Sequence, residues 1–331
     1  MTGAPTRRTL LAGAAAVLAL PARGQSDRWA PVIEAAEGLD QLHALVIALD
    51  GQTALERRFR GPALGQPVNV KSVSKTVVAA LTGVAIDRGE IGSLDATLGE
   101  LAPQLIPSGA DPRVPGLTIL DLVTMRAGLE RTSGSNYGLW ISSSNWVADA
   151  LGRDFVAEPG GRMLYSTGSF HVLGAVLSEV TGLSLLDQAR QRLGQPLGIE
   201  IPPWTRDPQG RYMGGNQMAL TPAGMIRFGE AFRQDGTWNG TRILSAGWVE
   251  DSWEPVTNSP FSGMGYGLGW FLGQIGGHDY ALARGYGGQV ICVVPDLDMT
   301  LAITSDPNRP ARSQGYFGDL MSLIETAVSV A

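Results

Sequence analysis

From Val77 to Ile86 the chain reads Val-Val-Ala-Ala-Leu-Thr-Gly-Val-Ala-Ile. A helix of that composition has no polar face and is stable only when other protein surrounds it. Immediately before it stands Val70-Lys71-Ser72-Val73-Ser74-Lys75-Thr76. Ser72 and Lys75 are three apart, so a helix opening here puts them on one face, the amine one turn from the hydroxyl. Ser-x-x-Lys is a short pattern and describes equally well an N-cap serine beside a solvated lysine. Two features weigh against that. The helix that follows should be buried, and of the 25 basic residues only Lys71 and Lys75 are lysines. A chain that writes nearly every cation as arginine keeps lysine, whose pKa can fall on burial, beside this serine. Ser74 adjoins Lys75 but points about 100° away from it on a helix, which leaves Ser72 as the candidate nucleophile.

The chain's 331 residues, 44% of them hydrophobic, suffice for one large domain or two lobes, and 44 glycines and 20 prolines promise many turns without a low-complexity tract. Residues 1–24 read as a twin-arginine signal. Arg7-Arg8 precedes an apolar stretch from Leu10 to Leu20, too short to span a membrane comfortably, and Ala22-Arg23-Gly24 offers small residues before a cleavage point. Export to the periplasm or beyond is the expectation. Losing Arg7, Arg8 and Arg23 and no acid leaves 22 basic and 31 acidic residues, a formal charge of −9. Such a surface repels nucleic acid and anionic membrane. Cys292, alone of its kind, lies in the apolar run Val290-Ile291-Cys292-Val293-Val294 and reads as a buried strand residue.

Taken in order, residues 29–39 predict a helix, and His43–Leu49 and Thr53–Phe59 a hairpin turned by Asp50-Gly51. The Ser72 helix should end near Arg88-Gly89. Helices separated by Pro and Gly loops follow to about Tyr212, clearest over Thr118–Met125, Phe170–Val180 and Ser184–Leu193. Then come a helix over Pro222–Phe232, strands over Tyr266–Leu272, Tyr280–Arg284, Gln289–Val294 and Met299–Thr304, and a last helix over Gln314–Val330. The pattern predicts an α+β fold: one antiparallel sheet completed by both chain ends (about 25–93 and 213–331) and flanked by helices, with an inserted helical lobe over 94–212. A site belongs in the cleft between them.

At this point the chain resembles the class C β-lactamase-like serine hydrolases, the superfamily of penicillin-binding proteins, family VIII esterases and nylon-oligomer hydrolases. Besides Ser72-Val73-Ser74-Lys75, the likeness rests on Met125-Arg126-Ala127-Gly128, Tyr165-Ser166-Thr167, Leu220-Thr221-Pro222 and Tyr286-Gly287-Gly288-Gln289, in the family's order. It implies a β-lactamase/transpeptidase-like fold, with Ser72 acylated, Lys75 as proton acceptor or the group that tunes one, and Tyr165 relaying a proton to the leaving group. It also implies an oxyanion hole from the backbone amides of Ser72 and Gln289. Which of Lys75 and Tyr165 is the base stays open, since their titrations are coupled. Thr167 stands where the family has asparagine, and Tyr286-Gly287-Gly288 where it has Lys-Thr-Gly or His-x-Gly, so the cation that receives a substrate carboxylate is missing unless Arg284 stands in. Thr167, Tyr286, Gly287 and Gly288, with Tyr137 and Trp140 of the insertion, are expected around the substrate.

The histidines His43, His171 and His278 have no metal-site spacing and no Gly-x-Ser-x-Gly elbow occurs, so neither a metal nor an organic cofactor is expected. His171 reads as a satisfied structural residue. The expected activity is hydrolysis of a small ester or amide; the alternatives are a penicillin-binding-type receptor or scaffold, or a β-lactamase or D-peptidase. Oligomeric state is not legible.

Overall fold

The computed structural model describes residues 28–331; the predicted signal over 1–24 lies outside them. Helix α1 (Ala30–Glu37) leads into β1 (Leu42–Leu49) and β2 (Gln52–Arg58). Asp50 and Gly51 both take positive φ, 48° and 71°, as the tight hairpin turn between twisted strands requires. Six further strands complete the sheet: β3 (Thr257–Asn258), β4 (Gly265–Tyr266), β5 (Phe271–Ile275), β6 (His278–Gly285), β7 (Gln289–Val294) and β8 (Met299–Ser305). The order is β2-β1-β8-β7-β6-β5-β4-β3, and each pairing is antiparallel. The last strand thus lies against the first, with Leu45 opposite Ile303.

Every residue of β7 and β8 is buried, so helices cover both faces of the sheet centre. Helix α2 (Val73–Asp87) is buried without interruption from Val73 to Ala85. It fits because it is small where its neighbours press. A Cβ on Gly83 would sit 2.4 Å from the Trp248 ring. Helix α3 (Thr167–Thr181) packs on α2, α4 (Pro222–Arg233) lies on β1, β7 and β8, and α5 (Tyr316–Ser329) packs on α1. Burial pushes the Cys292 thiol on β7 up to about 12. The fold class is the predicted mixed one, with a sheet, flanking helices and a helical stretch between its halves.

Local departures have physical causes. The strand predicted over Tyr266–Leu272 is broken by a turn in which the Gly267 amide donates to Trp270 O at 3.0 Å. Gly269, at φ 85°, comes so near α2 that a Cβ would lie 2.6 Å from that of Ala79, and the Thr76 hydroxyl donates to Gly269 O at 2.7 Å. Helix packing overrides the apolar alternation there. The helix predicted over Ser184–Leu193 is one α turn, Leu185–Gln188, followed by a wider π turn, Ala189–Gly194. Among the described residues no single helix is long and apolar enough to cross a membrane.

Candidate active site

The chain enters α2 through a sharp bend. Lys71 sits at φ 51°, a conformation costly for a side-chain-bearing residue, and its amide donates to Asn69 Oδ1 at 2.9 Å. Ser72 follows at the N-cap position, yet its side chain makes no capping bond. Its hydroxyl instead accepts from Lys75 Nζ at 3.1 Å. Lys75 is 2% exposed and also donates to Gly215 O at 2.8 Å and Thr167 Oγ1 at 3.2 Å. The Tyr165 ring centre is 4.9 Å from the amine. Burial without a carboxylate partner pulls the ammonium down to about 7. Ser74 is committed elsewhere: it donates to Lys71 O at 2.6 Å and accepts from the Met218 amide at 3.2 Å.

The start of α3 supplies the opposite wall. Its free amides are satisfied by a neighbouring loop: Thr167 N donates to Ser133 Oγ at 2.9 Å and Gly168 N to Thr132 Oγ1 at 2.7 Å. This fixes Thr167, whose Oγ1 is 3.0 Å from Ser133 Oγ and so links Ser133 to Lys75. Tyr165, two residues earlier, is held by the same loop-to-helix joint. Burial pushes its hydroxyl above the ordinary tyrosine range, opposed by a hydrogen bond with Ser72 and by the Arg284 guanidinium.

One turn into α3, His171 is fully buried. Its Nε2 is 3.1 Å from Asp207 Oδ2, and its Nδ1 accepts from the Gly214 amide at 3.3 Å. Burial opposes ionisation of Asp207, but its bonds to His171 and to the Arg211 amide outweigh that and hold the carboxyl below its usual range. The pair anchors the segment whose next carbonyl, Gly215 O, accepts from Lys75. A Cβ on Gly214 would lie 2.1 Å from Phe170 O, so that segment runs tight against α3. His171 therefore stands one residue behind the reacting groups.

Ser72 and Tyr165 open on a cavity of about 810 Å³. Ser133, Tyr137, Thr167 and Asn216 line its helical side; Lys71, Arg284, Gly285, Tyr286 and Arg312 line the sheet side, with Phe261 and Phe271 as apolar surface. The expected residues Ser72, Tyr165, Thr167, Tyr137 and Tyr286 thus meet at one cavity, with Lys75 beneath its floor. Four others do not line it. Trp140 is 0% exposed, packed behind Tyr137 at 5.8 Å and bonded through Nε1 to Trp146 O. Gly287 and Gly288, at φ 82° and 90°, make the turn between β6 and β7, pressed against Asp306 and Tyr316. Gln289 lies beyond that turn, paired with Gly285 in the sheet while its side chain bonds both N and O of Ser305.

Ser72 and Tyr286, unlike Gln289, line the cavity. Residues 283–285 of β6 run past the end of β5, where Phe271 pairs with Leu282, so that edge is open. Gly285 abuts the approach to Ser72 so closely that a Cβ would be 2.3 Å from Val70 O. Among the described residues the amides of Ser72 and Tyr286 make no hydrogen bond. Sequence reasoning also passed over Ser133, Lys71 as a wall residue, and the Gly215 carbonyl. The Gly/Ser-rich stretch around Ser133 was the one available signal for the first. Among the described residues no group of three or more His, Cys, Asp or Glu side chains converges as metal ligands would.

Comparison with known proteins bears on the family and the fold. The beta-lactamase family model matches residues 43–316. Esterase EstB of Burkholderia gladioli is 30% identical over 185 residues, 46% of this chain and 44% of that protein. Penicillin-binding protein 4 of Amycolatopsis lactamdurans is 25% identical over 257 residues, 65% of this chain and 64% of that protein. The chain thus spans less than two thirds of the length of either curated relative. Among solved structures, EstCE1, described as a hydrolase with promiscuous acyltransferase activity, superposes with a TM-score of 0.76 at 18% identity, over 91% of this chain and 98% of EstCE1. With its sheet, its Ser72–Lys75 pair and a family match over most of its length, the chain belongs to the beta-lactamase family of serine hydrolases.

Proposed function

We propose that the chain is an exported hydrolase that cleaves ester or simple amide bonds through an acyl-enzyme on Ser72. The observation that carries this reading is the buried Lys75 amine, 3.1 Å from Ser72 Oγ and held at about 7 with no anion beside it among the described residues. A lysine in that state accepts the serine proton at neutral pH. Tyr165, pushed the other way, keeps its proton over the same range. Lys75 is then the base, and Tyr165 hands a proton to the departing alcohol or amine. Charge on the carbonyl oxygen falls to the amides of Ser72 and Tyr286, each such donor contributing about 3 kcal/mol to the transition state. Tyr286 replaces Gln289 here because its amide is free and borders the cavity. Lys75 then returns its proton to Tyr165; water attacks the ester of Ser72, Lys75 takes the water proton and passes it to Ser72 Oγ, and the acid departs.

Names of relatives support the ester side: EstB is an esterase, and the acyltransferase activity of EstCE1 fits an acyl-enzyme that passes its acyl group to acceptors besides water. The likeness to a penicillin-binding protein favours a second reading, a receptor whose acyl adduct is not released. Short-chain p-nitrophenyl esters and a chromogenic cephalosporin, assayed with intact mass spectrometry, separate the two. Ester turnover with a transient adduct at Ser72 is the expected result; a lasting adduct marks the receptor, and no adduct with either class removes the acyl-enzyme reading. Export by the twin-arginine route predicts that replacing Arg7 and Arg8 by lysine retains the full-length chain inside the cell.

A further inference from the structure

Among the described residues Lys75 Nζ has three hydrogen-bond partners, Gly215 O at 2.8 Å, Ser72 Oγ at 3.1 Å and Thr167 Oγ1 at 3.2 Å. Once neutral, the amine offers two N–H donors and one lone pair. Gly215 O can only accept, so it takes one N–H in every state. The other N–H and the lone pair are left for the two hydroxyls, and they can be shared out in two ways. With the lone pair on Ser72, the amine is ready to receive the serine proton. With the lone pair on Thr167, the remaining N–H points at Ser72 Oγ, the atom that must be protonated when the acyl group leaves.

The second arrangement needs Thr167 to donate, and its surroundings allow that. Thr167 Oγ1 is 3.0 Å from Ser133 Oγ, and Ser133 Oγ accepts from the Thr167 amide at 2.9 Å. Ser133 keeps its own proton for Thr167 and one lone pair for the cavity, which it lines with Ser72 on the helical side, across from Tyr286. The asparagine that the family carries at this position accepts through oxygen and donates through nitrogen, but cannot do both through one atom. A hydroxyl can.

We infer that Ser133 and Thr167 form a proton relay for deacylation, through which Lys75 deprotonates a hydrolytic water bound at Ser133. The inference rests on the hydrolase reading above. The water oxygen bonds to the acyl carbon as its proton passes to Ser133 Oγ. The Ser133 proton moves to Thr167 Oγ1, the Thr167 proton to Lys75 Nζ, and a Lys75 proton to Ser72 Oγ as the bond between that oxygen and the acyl carbon breaks. The two relay hydroxyls and the amine end with as many protons as they began with. Tyr165 serves acylation and the hydroxyl pair serves deacylation, so the two half-reactions draw on Lys75 from different sides.

The test follows turnover of 4-nitrophenyl acetate at saturation together with the fraction of acyl-enzyme, read by intact mass spectrometry after a rapid acid quench. Rate and fraction together give the acylation and deacylation constants separately. Thr167→Val should slow deacylation by about tenfold while acylation falls by less than about threefold, so that adduct accumulates on Ser72. Ser133→Ala should do the same, although it also removes the hydroxyl that caps α3, which makes Thr167→Val the cleaner variant. Thr167→Ser, which keeps the hydroxyl, should restore most of the deacylation rate. Adduct no more abundant in Thr167→Val than in the wild type, a loss shared equally by both steps, or a Thr167→Ser variant as slow as Thr167→Val each overturns the relay while the hydrolase reading stands. A wild-type adduct that is never released overturns the relay and marks the receptor. A wild type that neither turns over nor forms an adduct removes the hydrolase reading and the relay together.

Discussion

The two walls of the cavity are built on opposite rules. On the helical side Ser133, Thr167, Tyr165 and Asn216 are neutral and hydrogen-bonded within the protein: Ser133 caps α3, Thr167 ties Ser133 to Lys75, and Asn216 donates to the Tyr137 hydroxyl at 3.1 Å. On the sheet side Lys71 and Arg284 are cationic, and the Tyr286 amide has no partner among the described residues. Satisfied groups stay where they are put, which suits proton transfer over fixed distances; unsatisfied donors wait for a ligand. The difference teaches that a missing side chain on one wall need not mean a missing function, since the other wall can supply the charge.

Ser72→Ala breaks the comparison most completely. Turnover should fall to background with the thermal melt unchanged, since Ser72 caps nothing in the fold; normal turnover would remove the nucleophile. Lys75→Met should cost about 10³-fold or more in kcat. In the wild type, activity should rise with pH through about 7 as Lys75 loses its proton. Stability should follow. Between about 7 and the unfolded value of 10.5 the unfolded chain holds a proton that the folded chain has released, so stability increases with pH there, and below about 7 the gain is gone. Lys75→Met should flatten that slope in denaturant titrations.

Tyr165→Phe should lower kcat by about 10²-fold, less for activated aryl esters, whose leaving groups need no proton. A variant as fast as wild type on alkyl esters would remove Tyr165 from the proton path. The smallest effect belongs to Thr167→Val, about tenfold. Thr167 Oγ1 accepts from the charged form of Lys75, so its loss disfavours that form and should move the acidic limb of the pH profile to lower pH. An unmoved limb would mean that Thr167 serves only the packing of α3.

Much of this was legible beforehand. The hairpin at Asp50-Gly51, the buried α2 and the strands β6 to β8 follow from turn chemistry and from apolar runs long enough to be unambiguous. The Ser72–Lys75 pairing follows from a spacing of three on one helix. Tyr266–Leu272 misled because apolar content marks burial, and a turn packed on Ala79 is as buried as a strand. Gln289 lies one turn beyond the cavity lining. Motif order names a loop but not which of its residues borders the cavity, and that depends on the close approach of Gly285 to Val70. Gly215 O had no signature at all, because a carbonyl is present at every residue. Lys71 was visible as a rarity, but its place in the wall depends on a backbone bend at φ 51°.

The pairing of β1 with β8 has a consequence for how the protein is born. Leu45 emerges from the ribosome long before its partner Ile303, and β1 is bracketed by β2 on one side and by nothing until β8 arrives. The sheet centre, and with it the surface on which α4 rests, cannot close before β8 is made. Until β8 has been made the chain exposes an unpaired strand edge, and its slowest folding step is the meeting of β1 with β8. Truncations that remove only β8 and α5 should therefore leave aggregation-prone chains in place of a smaller stable domain.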